Sequence, residues 1–150
     1  MVQVVTVGVT GKSVVSSHSV TVICDKVLSD VVARDLPDLA VLPGGGKGSR
    51  NLASSVELRE FITRMMEEKR YIGAICAAPA VVLGSWNLLG SRRWTCFPGM
   101  GEDLRTKPVE DRVVVDENLV TSRAAGTAEE FSLALVTELC GSAVADRLGG

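Results

Sequence analysis

The sequence predicts a doubly wound α/β domain, with helices layered on a mostly parallel sheet. Three observations carry that expectation. The chain is 46% hydrophobic but only 4% aromatic, so its apolar mass is Val, Leu and Ala, the composition of strands buried on both faces. Apolar runs pass straight into Gly-rich or Pro-initiated turns, LAVL before Pro43-Gly44-Gly45-Gly46 and YIGAI before Cys76-Ala77-Ala78-Pro79. Between such runs, Ser or Thr followed three residues later by Glu marks helix starts.

Taken in order, residues 2–9 (VQVVTVGV) alternate and are β-branched, predicting a strand closed by the turn Thr10-Gly11-Lys12. Residues 20–24 (VTVIC) predict a second, short strand. Residues 39–42 predict a buried strand leading into the Gly-rich loop 43–48. Ser54-Ser55-Val56-Glu57 reads as a capping box, and Leu58, Phe61, Ile62 and Met65 recur at helical spacing to about residue 69. Residues 71–75 are the next buried strand, and Pro79 opens a helix at a first-turn position where its missing N–H costs nothing. Trp94-Thr95-Cys96 predicts a strand ending at Phe97-Pro98-Gly99. Residues 113–115 and 119–121 predict a hairpin around Asp116-Glu117-Asn118. Thr127-Ala128-Glu129-Glu130 is a second capping box, opening a helix through Phe131, Leu133, Ala134 and Leu135 that ends near Cys140-Gly141. With no repeat, low-complexity stretch or linker, residues 1–150 read as a single domain. A chain of this length buries about 70% of its unfolded surface, enough for a core without disulfides or metal.

Charge and cysteine usage narrow the function classes. With 16 basic against 18 acidic residues, the chain is not an electrostatic nucleic-acid binder. Its apolar runs fall far short of the ~20 residues that cross a bilayer, and Met1-Val2-Gln3-Val4 lacks the basic start and cleavage site of a signal peptide. Cys24, Cys76, Cys96 and Cys140 are widely separated and accompany a single histidine, His18. That pattern suits reduced thiols in a cytosol-like compartment and predicts no metal site. Cys24 and Cys140 read as core or interface positions, Arg92-Arg93 as a solvated start of a strand, and His18 as a surface-loop residue near the site mouth.

Three places invite chemistry. Gly8-Val9-Thr10-Gly11-Lys12-Ser13 has the Gly-Lys-Ser of a phosphate loop, but Thr6 stands where the first Gly belongs and no helical pattern follows Ser13. Cys76 stands at a strand-to-helix junction, where a side chain is pushed out at the carboxyl edge of the sheet. Its sulfur would face the positive end of a helix, an environment that makes a thiol reactive. Pro43-Gly44-Gly45-Gly46-Lys47-Gly48, at the end of the neighbouring strand, offers amides that can approach a ligand closely and donate to an oxyanion.

Together, LAVLPGGGKGSRNL (39–52), YIGAICAAPAVVL (71–83), TCFPGMGEDL (95–104) and VTSRAAGTAEEF (120–131) resemble the ThiJ/PfpI superfamily, in its deglycase and bacterial ThiJ-type branch. AICAAP and TSR-x-x-GT are its more specific motifs. The resemblance implies a flavodoxin-like three-layer α/β/α fold, a cytoplasmic homodimer, and cofactor-free cysteine chemistry on small aldehydes or glycated substrates in oxidative-stress protection. It matches Cys76 to the nucleophilic, oxidation-sensitive cysteine, Gly44, Gly45 and Ala77 to the backbone around the substrate oxygen, and Arg123 to a basic residue beside the site. The same family implies an alternative, a redox-sensing chaperone whose cysteine becomes sulfinic acid; Cys96, ending the strand read next to the site, is a candidate resolving thiol against the simpler reading of a buried spectator, and a non-catalytic fragment is a further alternative. Ala77, rather than His, after the cysteine disfavours the protease-like branch.

Three departures from the pattern matter. The family's first strand and helix, with the glutamate that hydrogen-bonds the cysteine, have no counterpart here. Phe97 stands where animal members have histidine, which removes a histidine base but keeps Phe97 among the expected substrate-binding residues, and Ala124-Ala125 replaces Gly-Pro after Arg123. An absent first strand would leave a gap within the sheet, so the chain is expected to take a strand from another polypeptide or to fold poorly.

Overall fold

A computed structural model describes residues 2–150; Met1, the first residue of the signal-peptide reading, lies outside the described residues. Strands β1 (Val7–Gly8), β2 (Ser13–Val15), β3 (Thr21–Ile23) and β4 (Lys26–Val27) form two small units: β1 and β4 pair in parallel, and β2 and β3 form an antiparallel hairpin. Then come α1 (Leu28–Val32), β5 (Leu39–Leu42), α2 (Gly46–Ala53), α3 (Val56–Glu67) and β6 (Tyr71–Ile75). A π-helical turn covers Pro79–Gly84, followed by β7 (Val113–Asp116), β8 (Leu119–Ser122), a 3₁₀ turn (Ala125–Thr127), α4 (Ala128–Cys140) and α5 (Ser142–Gly149). The main sheet runs β5-β6-β8-β7, its first three strands parallel and β7 antiparallel at the edge.

The strand period of two sorts β6 between two helical layers. Ile72 and Ala74 are fully buried in the larger core with Leu58, Phe61, Ile62 and Met65 of α3. Ile62, Met65 and Ile72 each contribute about 1.5–3 kcal/mol by leaving water. On the opposite face, Phe131 and Leu135 of α4 pack with Val120 in a second cluster. A Cβ on Gly73 would meet Leu135 at 3.0 Å and Phe131 at 3.1 Å. The sheet is thus covered on both sides, the three-layer mixed α/β arrangement expected.

Several elements differ from expectation, each for a local reason. The strand expected over residues 2–9 is laddered only at Val7–Gly8, because β1 finds one partner, β4, and its other edge is unpaired. β2, β4, α1, α2 and α5 carry no strong pattern of their own and were not expected. The Gly-rich loop is shorter than read, since Gly46, Lys47 and Gly48 already belong to α2. The cap of α3 is Ser55, whose hydroxyl accepts the Leu58 N–H at 3.1 Å, rather than Ser54. Thr127 precedes α4 without capping it by its side chain; its hydroxyl instead meets Ser122 Oγ at 2.6 Å. Trp94-Thr95-Cys96 is not a strand: the Thr95 N–H donates to Thr121 Oγ1 at 2.9 Å instead of to a ladder carbonyl. The helix expected after Cys76 is a π-helical turn with Pro79 at its start.

Candidate active site around Cys76

β6 ends at Ile75 and the backbone reverses at once, with Cys76 at φ 62°, a left-handed conformation rare for a residue with a side chain. The end of β8 and the Phe97 turn hold it there. The Cys76 N–H donates to the Ser122 carbonyl at the end of β8 (2.9 Å), and the Cys76 carbonyl accepts the Phe97 N–H (2.8 Å). Strain of order 1–3 kcal/mol at such a residue persists only where the surroundings over-determine it, as these two bonds do. The side chain is half-buried at the carboxyl edge of the sheet, where α/β folds place their sites.

The two loops singled out in the sequence meet here. Gly44, just after β5, lies against the cysteine so closely that a Cβ on it would come within 2.6 Å of Cys76 Cβ and 3.4 Å of its sulfur. Gly45 follows at φ 90° and is the residue preceding α2. Ala77 is buried, and its carbonyl accepts Val81 N–H at 2.9 Å in the first turn after the elbow. No hydrogen bond among the described residues occupies the Gly45 or Ala77 N–H, so both donors are available to a ligand oxygen.

Phe97-Pro98-Gly99-Met100 forms a tight turn, with the Met100 N–H donating to the Phe97 carbonyl at 3.1 Å and Gly99 at φ 81°. Proline second and a positive-φ glycine third is the type II pattern. Cys96, preceding it, is buried, and its thiol donates to the Phe97 and Met100 carbonyls at 3.4 and 3.3 Å. Burial pushes the Cys96 thiol up to about 11, the charges of Glu102 and Cys76 act in the same direction, and the Arg123 guanidinium opposes them. Arg123 is half-buried and steadied by Nη1 donating to the Glu110 carbonyl at 2.8 Å.

Cys76, Gly44, Cys96 and Phe97 therefore come together, Arg123 stands within electrostatic reach, and Gly45 and Ala77 follow Gly44 and Cys76 in the chain. His18 lies in the exposed β2–β3 turn with its ring against Ser17 at 3.1 Å. Gly11, Lys12 and Ser13 run into β2 and not into a helix, so no phosphate loop forms. Sequence reasoning missed Ser122, which anchors the elbow; the serine of TSR was its only signal.

A left-handed cysteine between a parallel strand and a helix start, at the carboxyl edge of a three-layer domain, defines a cysteine-elbow α/β protein. The DJ-1/PfpI family model matches residues 1–138, and the chain belongs to that family. It is 42% identical over 129 residues to protein DJ-1 homolog B of Arabidopsis thaliana, covering 85% of this chain and 29% of that protein. The chain thus spans less than a third of the first curated relatives it matches. It is 30% identical over 142 residues to a Caenorhabditis elegans protein named glutathione-independent glyoxalase DJR-1.2, covering 93% of this chain and 74% of that one. Among solved structures, Drosophila melanogaster DJ-1beta superposes with a TM-score of 0.89 at 33% identity, covering 95% of this chain and 78% of that one.

Proposed function

We propose that Cys76 is the nucleophile of a cofactor-free enzyme acting on reactive carbonyls, of glyoxalase or deglycase type, with a protective role under oxidative stress. The observation that carries this is the elbow itself: a half-buried free thiol held at φ 62° against Gly44. The similarity to a relative named as a glyoxalase supports the substrate class.

In this scheme the Cys76 sulfur adds to the aldehyde carbon of R–CO–CHO, and the Gly45 and Ala77 amides stabilise the resulting oxyanion. The hydrogen on that carbon then moves to the neighbouring carbonyl carbon as a proton, through an enediol. The hemithioacetal thereby becomes a thioester of the 2-hydroxy acid. Water hydrolyses the thioester, so the sum is R–CO–CHO plus H₂O giving R–CHOH–COOH, with no oxidant or reductant. Arg123 offers positive charge to the forming carboxylate. Among the described residues no carboxylate hydrogen-bonds Cys76, so the proton travels through solvent or a group from outside them; a positioned acid–base group would add roughly 10²–10⁴-fold. Cys76→Ser is expected to abolish lactate formation from methylglyoxal, and an unchanged rate would sink the scheme.

A second reading, a redox-sensing chaperone, is favoured by the state of Cys96. A thiol that is buried, engaged with two carbonyls and pushed up to about 11 is a poor resolving nucleophile. Peroxide would then convert Cys76–SH to Cys76–SOH with release of an alcohol or water, and a second equivalent would give Cys76–SO₂H. Intact mass after mild peroxide is expected to show two added oxygens on Cys76; loss of two hydrogens would instead reveal a Cys76–Cys96 bridge.

For assembly, we propose a homodimer. The β2–β3 hairpin leaves Val14, Val15, Val20, Val22 and Ile23 exposed, an apolar surface that a second copy would cover. The four free cysteines support a reducing, cytoplasmic setting. Among the described residues no helix is long and apolar enough to cross a membrane.

A further inference from the structure

The chain has three phenylalanines and two tryptophans, and four of these five rings are buried: Phe61 at 7%, Phe131 at 4%, Trp86 at 6% and Trp94 at 0% exposure. Phe97 alone is left 43% exposed. Folding would gain by burying it, since a ring of this size dominates core energetics. Its backbone is not loose enough to account for the exposure. The Phe97 N–H is bound to the Cys76 carbonyl, its own carbonyl accepts both Met100 N–H and the Cys96 thiol, and the following turn is fixed by Pro98 and Gly99. A single exposed apolar residue is ordinary on a protein surface; what sets Phe97 apart is its place, one backbone hydrogen bond from the elbow cysteine.

Building on the carbonyl reading of Cys76, we propose that Phe97 forms an apolar subsite for the substituent R of R–CO–CHO, making the site selective for aryl-substituted 2-oxoaldehydes over methylglyoxal. A ring stacked on or edge-on to the phenyl face recovers the area that folding leaves in water, and a methyl group recovers little of it. Arg123, whose charge acts on the neighbouring Cys96 sulfur, complements this by favouring the end of the product that becomes a carboxylate.

Two measurements on the full chain test this. The first is alkylation of Cys76 by phenacyl chloride and by chloroacetone, read on the Cys76 peptide by mass spectrometry because Cys140 is also free and exposed, each rate divided by that of free glutathione with the same reagent. The wild type is expected to prefer the phenacyl reagent by roughly tenfold, Phe97→Tyr to keep that preference, and Phe97→Ala to lose it. A normalised ratio that is the same in wild type and Phe97→Ala overturns the proposal. The second is the ratio of kcat/KM for phenylglyoxal to that for methylglyoxal, expected to fall by a similar factor in Phe97→Ala. If the wild type turns over neither aldehyde while the alkylation preference stands, the enzymatic reading fails and the aromatic subsite survives it.

Discussion

Replacing Gly44 by valine is expected to lower turnover of a 2-oxoaldehyde roughly 10²-fold while leaving the far-ultraviolet circular dichroism of the chain unchanged, because an ångström-scale displacement of a reacting group has that effect. The cause is space. A Cβ at residue 44 would fall 2.6 Å from Cys76 Cβ and 2.9 Å from the Ile75 carbonyl oxygen, both part of a stiff elbow and not the end of a flexible side chain. Either β5 or the elbow has to move, and the elbow is already strained at φ 62°. Gly45→Ala makes the contrasting control: nothing lies within 4 Å of its built Cβ, but φ is 90°, so the cost is conformational, about 1–2 kcal/mol. Its effect is expected on melting temperature more than on Cys76. Turnover by Gly44→Val within threefold of wild type would show that the close approach of the two loops does not position the nucleophile.

The pairing of those loops was legible in the sequence because both rest on strong local signals. LAVL stops directly at Pro43-Gly44, and YIGAI runs into Cys76-Ala77-Ala78-Pro79, whose proline marks a helix start, so both strand ends, and with them Gly44 and Cys76, are placed within a residue. α3 and α4 were legible for the same reason, an apolar stripe at helical spacing, although their caps were not. What defeated the reading was tertiary context. α2 contains Gly46, Gly48 and Ser49, poor helix formers, and it exists because it packs on the π-helical turn with Ser49 fully buried. Trp94-Thr95-Cys96 has strand composition, but the partner that takes the Thr95 N–H is a side chain, Thr121, 26 residues away. The state of Cys96 depends likewise on carbonyls presented by a turn it does not itself form.

The second large effect is expected at the strands that flank the site. Among the described residues β5 pairs only with β6 in the main sheet and β1 only with β4 in the small sheet, so each presents one unpaired edge. α1 follows β4 directly and packs on α3, which covers β6, so both sheets lie beneath the same helical layer. The exposed residues are those of a parallel sheet interior: Val41 is 46% exposed in the middle of β5, and Val4, Val5 and Val7 are exposed along and before β1. Parallel strands are normally buried on both faces, and open apolar edges pair with whatever strand they meet. Purified 1–150 is therefore expected to form species larger than a dimer at micromolar concentration and to melt over a range that depends on concentration. Val41→Lys, which places a charge on the β5 edge, is expected to suppress those species, whereas Val22→Asp on the β2–β3 hairpin is expected to dissociate the dimer without suppressing edge pairing. Light scattering on the three proteins separates the outcomes. A wild-type chain that stays no larger than a dimer and melts in one cooperative, concentration-independent step would mean that the two edges are satisfied within the fold, and that Val41 and Val7 face a surface the chain can leave in water.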